Sequence, residues 1–189
     1  MTKTKWILDS THSELGFKIK HLMITNVSGT FKAFTGQAET AGEDFSTAAI
    51  ALSADISSIS TNNEQRDAHL LASDFFEADL YPTLAFHSTK IEQKDSEHFI
   101  VTGDLTLKGI TKAVRLNAEM SGVTKDPWGG ERAGFVVSGK INRSEWGLNF
   151  NAVLETGGMV LSEEVKIFSE VQLVKQVVPA DAMLETVEQ

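Results

Sequence analysis

The chain has 189 residues, 41% of them apolar, with a formal charge of −9 and a pI near 5.0. That length suits one domain with a sizeable core. The acidity argues against a nucleic-acid partner, whose phosphates demand a basic surface, and disfavours lasting attachment to anionic lipid headgroups. With no cysteine, disulfides, thiolate catalysis and cysteine-ligated metals are excluded.

The opening run Met1-Thr2-Lys3-Thr4-Lys5-Trp6 leads to Asp9, His12 and Glu14 rather than to an apolar stretch. No secretory signal is therefore expected in this chain. A cytoplasmic location follows, or a periplasmic one if a leader was removed. No apolar run approaches the ~18 residues of a membrane span, so no stable membrane anchor is expected.

Period-two alternation then dominates. Leu15, Phe17 and Ile19 alternate with Gly16, Lys18 and Lys20, placing the apolar set on one face of a strand. Stretches at 29–39 and 83–92 read as strands, with Phe31 and Phe86 on their apolar faces. Ile50, Leu52, Ala54 and Ile56 repeat the pattern, as do Phe99, Val101, Gly103, Leu105 and Leu107. Val114, Leu116, Ala118 and Met120 follow, then Phe135, Val137, Gly139 and Ile141, and finally Val165, Ile167, Val171 and Leu173. About eight strands emerge. Lys108-Gly109 reads as a tight hairpin and Asp126-Pro127-Trp128-Gly129-Gly130 as a turn, which forces antiparallel pairing.

One segment breaks the pattern. Thr61-Asn62-Asn63-Glu64 reads as a capping box with Thr61 as the cap, and Ala68, Leu71, Ala72 and Phe75 form a helical stripe. A helix over about residues 62–72 is predicted, ending before Tyr81-Pro82. Residues 1–175 form the predicted domain, and 176–189, broken by Pro179, a loose tail.

The predicted fold is thus all-β: an eight-stranded antiparallel, lipocalin-like barrel with one inserted helix. Glycines 16, 36, 103 and 139 within the strands suit a sheet that bends to close. A barrel of eight strands is either filled by its side chains or holds one small ligand. The inward set mixes large aromatics with Gly103, Ala118, Ala133 and Gly139, and the small members favour a cavity. Strands of some 10 residues span roughly 33 Å, a tube for a long, slender guest.

Chemistry-bearing motifs are sparse. His12, His21, His69, His87 and His98 show no metal-ligand spacing, and no metal or cofactor is expected. There is no nucleophile elbow, P-loop or dinucleotide fingerprint. The densest polar cluster is Arg66-Asp67-Ala68-His69. Arg66 and His69, one turn apart, with His21 nearby, either meet the polar end of a guest at the barrel mouth or serve structure alone. In the structural case Arg66 pairs with a carboxylate and His69 caps strand-end carbonyls. An enzymatic alternative would use His69 or His21 as a general base beside a supporting carboxylate.

In this order and spacing, Asp9-Ser10-Thr11-His12-Ser13, Gly29-Thr30-Phe31 and Ser60-Thr61-Asn62-Asn63 resemble the YceI-like family, also called the polyisoprenoid-binding domain. So do Arg66-Asp67-Ala68-His69-Leu70, Ser73-Asp74-Phe75-Phe76, Tyr81-Pro82, the run from Gly103 to Lys112 and Asp126-Pro127-Trp128-Gly129-Gly130. The resemblance covers about Trp6 to Val174. It implies a lipocalin-like barrel, often dimeric, that accommodates a long-chain isoprenoid-like lipid without catalysis. The expected contacts are Phe17, Ile19, Phe31, Leu52, Ile56, Phe86, Phe99, Val101, Leu105, Leu116, Met120, Phe135, Val137 and Ile167, with His21, Arg66 and His69 at the mouth.

Overall fold

The computed structural model describes residues 2–177. Its strands are β1 (Lys3–Leu8), β2 (Glu14–His21), β3 (Thr25–Phe31), β4 (Phe34–Ala41), β5 (Asp44–Asp55) and β6 (Ile59–Ser60). After helix α1 (Glu64–Leu70) come β7 (Thr83–Gln93), β8 (His98–Leu107), β9 (Ile110–Lys125), β10 (Glu131–Asn142) and β11 (Leu161–Lys175). All named pairings are antiparallel.

Eleven segments make eight barrel positions because three positions are shared. β11 pairs through Leu173–Lys175 with β1 and through Leu161–Glu170 with β2, so β1 and β2 lie end to end along it. β4 and β3 continue that division, pairing with β1 and β2 respectively, and β5 and β6 continue it again. The stretch read as one strand over 29–39 is thus broken at Lys32-Ala33. From β5 the sheet runs through β7, β8, β9 and β10 to β11, and the β1–β11 pairing closes it. Closure leaves no long free edge.

The β8–β9 hairpin turns at Lys108 and Gly109, both at positive φ (50° and 72°), as a two-residue I′ loop demands. One end of the barrel is filled by an aromatic stack: Trp6–Phe45 and Phe45–Phe135 centroids are each 5.0 Å apart, and Trp6 Nε1 donates to Thr40 Oγ1. The other end is covered by α1, by the turns that follow it, and by a 3₁₀ turn at Arg143–Trp146. Trp146 is buried there and donates from Nε1 to the Leu105 carbonyl.

The helix differs from expectation. It spans seven residues, and its cap is Asn63, whose side chain accepts from the Arg66 amide. Thr61 is instead turned inward, its amide and hydroxyl both donating to Asp67 Oδ1. Asn62, at φ 60°, makes the turn that moves the cap two residues on. The stripe of Ala68, Leu71, Ala72 and Phe75 does not form, because α1 ends at Leu70 and both alanines are exposed. Phe75 is buried from the turns beyond, where the Phe76 amide donates to the Leu70 carbonyl and the Ala78 amide to Leu71. The predicted tail from 178 onward lies outside the described residues. No helix among the described residues is long and apolar enough to cross a membrane.

Candidate functional site

Inside the barrel lies an apolar cavity of two lobes, about 210 Å³ toward the aromatic end and about 370 Å³ toward the helix end. Leu15, Leu84, Leu105 and Ile167 line both and form a waist between them. The lobes together fall within the ~300–1,000 Å³ of small-molecule sites.

The inner lobe takes its walls from period-two faces: Leu52 on β5, Phe86 on β7, Phe99, Val101 and Leu105 on β8, Leu116 on β9, and Phe135 and Val137 on β10. Phe17, Ile19 and Phe31 line the outer lobe, and Ile167 reaches both. Ile56 and Met120 do not line either. Ile56 is buried in the 3₁₀ turn after β5, and Met120 packs against the core beside the register shift at Gly134/Phe135.

Nor do the glycines open the space expected of them. A Cβ at Gly103 would lie 2.4 Å from Phe86 Cζ, and one at Gly139 2.5 Å from Leu116 Cδ2. Each glycine is a seat for a cross-strand side chain. The void comes from the barrel's girth, not from those positions.

Polar groups gather at the outer lobe. His21, Arg66 and His69 all line it, together with Thr61 and Arg143, and no carboxylate does. Arg66 and His69 are also solvent-exposed, so the lobe reaches solvent beside them. Arg66 pairs with no carboxylate among the described residues; Nε donates to Thr61 Oγ1 and Nη2 to the Thr61 carbonyl, each at 2.7 Å. His69 caps no strand; Nε2 lies 2.7 Å from Asp74 Oδ2, with the ring edge-on to Phe75 and Phe150. That contact holds the Asp74 carboxyl below its ordinary range.

Sequence reasoning missed Arg143. Its buried guanidinium donates to the carbonyls of Ser162, Leu148 and Phe150 and pins the 147–160 segment over the lobe. Burial lowers its pKa, though a guanidinium keeps its charge at neutral pH. A lone arginine just beyond an apolar strand was the available signal. Also missed was Ser169, which is 4% exposed and lines the inner lobe; among the described residues its Oγ is the buried side-chain polar atom left without a partner. Among the described residues no three His, Asp or Glu side chains converge as a metal site requires.

The fold and site define an antiparallel barrel enclosing an elongated apolar cavity with a basic, solvent-reaching end. Residues 6–173 match the YceI-like domain, and the chain belongs to that family. The UPF0312 protein of Staphylococcus epidermidis is 42% identical over 164 residues, covering 86% of this chain and 93% of its own length; a Staphylococcus aureus homologue matches equally well. Among solved structures, the Campylobacter jejuni YceI protein is 36% identical with TM-score 0.74, covering 89% of this chain and 96% of that one. A polyisoprenoid binding domain from Saccharophagus degradans shares the fold at TM-score 0.64 and 19% identity, over 89% and 97% of the two chains.

Proposed function

We propose that this protein is a non-catalytic carrier that holds a long-chain, isoprenoid-like lipid in the two-lobed cavity. The carrying observation is a pair of apolar lobes that meet at Leu15, Leu84, Leu105 and Ile167. Lining residues on β11 run from Leu161 to Leu173, about 30 Å along the barrel axis once the usual tilt is allowed for. Membership of the YceI-like family and the shared fold of a domain described as polyisoprenoid-binding support the reading.

Burial of a prenyl chain is favourable by about 0.8 kcal/mol per CH₂ before ordering costs. Binding therefore needs little help from a headgroup, and discrimination rests on length and slenderness. A filled, purely structural barrel is disfavoured by the two lobes. The enzymatic alternative draws on one observation, the Asp74 carboxylate on His69. Turnover of an extracted lipid that His69→Ala abolishes would establish it.

The test is native mass spectrometry of freshly purified protein, followed by organic extraction. A nonpolar long-chain species should accompany the protein, and its removal should lower the melting temperature by mass action. Protein that carries no lipid, and that added polyprenols neither bind nor stabilise, would sink the carrier reading.

A further inference from the structure

The rim of the outer lobe is apolar where a soluble surface is ordinarily polar. The turn between β2 and β3 exposes Leu22, Met23 and Ile24, the last 78% exposed. Beside it the 152–160 segment exposes Val153 (75%) and Met159, which face each other across a β-bridge. The two pieces are one surface. The Leu22 amide donates to the Val160 carbonyl at 2.8 Å, and the space beside Gly158 is bounded by Leu154 and Met23. Isolated exposed hydrophobics are ordinary, but a contiguous group at a cavity mouth marks an interaction surface.

The backbone supplies an independent observation. The Ile24 amide closes the β2–β3 turn on the His21 carbonyl, and both central residues, Leu22 and Met23, have positive φ (52° and 61°). Asn-Gly adopts that geometry most readily; two bulky apolar residues hold it at a conformational cost. Strain of this kind collects at functional sites. Here it displays two apolar side chains at the tip of the β2–β3 turn.

We propose that this rim docks the protein on a lipid bilayer, and that lipid passes between bilayer and cavity there. This rests on the carrier reading above. Continuity carries it: His21, Val160 and Leu161 line the outer lobe, and the next residues outward are the exposed ones. A chain leaving the bilayer beneath the rim would pass His21 and then meet the apolar wall of Val160 and Leu161. The five apolar rim residues carry no charge, Glu155 exposed between Val153 and Met159 is acidic, and the chain carries −9. The bilayer recognised is therefore one with a zwitterionic surface, entered by shallow insertion, and anionic lipid opposes docking.

The Leu22→Asn/Met23→Gly double variant tests this, because it removes the apolar tip while suiting the same turn. Flotation with phosphatidylcholine vesicles should recover wild-type protein, and the variant should associate less by about tenfold or more. Its melting temperature should hold or rise, and adding phosphatidylglycerol should weaken wild-type flotation. Uptake of a fluorescent polyprenol should slow from vesicles yet stay unchanged when a cyclodextrin delivers it. Failure of the wild type to float, or equal flotation and vesicle uptake by the variant, would overturn docking. So would a dimer that the variant converts to monomer without loss of vesicle uptake, which would assign the rim to a second copy. Flotation by wild type without polyprenol uptake from either source would leave docking standing and remove the carrier reading instead.

Discussion

Ser169 shows what a single residue adds to an apolar cavity. Its neighbours across the sheet are Leu15 on β2 and Val137 on β10, so neither adjoining strand offers its hydroxyl a side-chain partner. A trapped water needs two to four polar contacts, and this wall offers few. The unmet hydroxyl opposes folding of the empty protein. Ser169→Ala should therefore stabilise delipidated protein by up to about 1–3 kcal/mol in thermal unfolding; a lowered melting temperature would show that the hydroxyl has a partner. Arg66 and His69 carry the opposite expectation. Arg66 holds the Thr61 loop and His69 holds Asp74, so Arg66→Ala and His69→Ala should lower the melting temperature and leave lipid affinity intact. An affinity loss of about 1.5–3 kcal/mol with unchanged stability would assign them to the headgroup instead. Strand periodicity made Phe17, Leu105 and Ile167 legible as interior residues. It could not reveal Arg143, whose carbonyl partners lie in the loop after its own 3₁₀ turn and at the start of β11, or Ser169, whose neighbours are on β2 and β10.

At the scale of elements, the division of β1/β2 and β3/β4 is a feature that counting apolar stretches passes over. Both halves of each pair keep an apolar inward face, but the phase of the alternation flips at the break, from Trp6 and Leu8 to Leu15 and Phe17, and from Gly29 and Phe31 to Phe34 and Gly36. A second signature is polar. Asp9, just after β1, accepts from the Thr11 amide and hydroxyl, lies 2.8 Å from His12 Nδ1, and accepts from Arg132 Nη1 of β10 at 2.7 Å. Arg132 Nε also donates to Asp126, which organises the β9–β10 turn through the amides of Trp128 and Gly130. The Thr11 bond first, then Arg132, holds the Asp9 carboxyl far below its usual range, and Arg132 likewise lowers Asp126. A depressed folded-state pKa means stabilisation that is complete above the ordinary carboxylate value near 4 and lost as pH falls toward the folded value. Arg132→Ala should lower the melting temperature by a few degrees at neutral pH. It should also flatten the fall in stability below about pH 4. The flattening will be partial, since Thr11 and His12 still hold Asp9. An unchanged acid profile would show that this cluster does not tie the break in β1/β2 to the β9–β10 turn. The helix was legible in kind but not in extent, because two asparagines compete with Thr61 for the cap and the local bonds of Thr61 to Asp67 and Arg66, inside the helix itself, decide against it.

Across the whole molecule, closure of the sheet sets the girth and the waist sets what the cavity accepts. Leu84 and Leu105 are buried on adjacent ranks of the barrel and, with Leu15 and Ile167, stand between the lobes. A guest shorter than the outer lobe need not pass them; a longer one must. For the wild type, affinity should climb with prenol length, by at most about 0.8 kcal/mol per added CH₂, until both lobes are occupied. Leu105→Trp places a larger ring at the waist. It should cost no more than about 1–3 kcal/mol of stability, because the void beside it relieves overpacking. Its length series should follow the wild type for short prenols and then stop climbing once the outer lobe is full. Competition binding against a fluorescent lipid, run with prenols of increasing length, reads both curves. Parallel climbs to the same final affinity would mean that guests do not thread the waist, and that the inner lobe is a packing defect rather than part of the site.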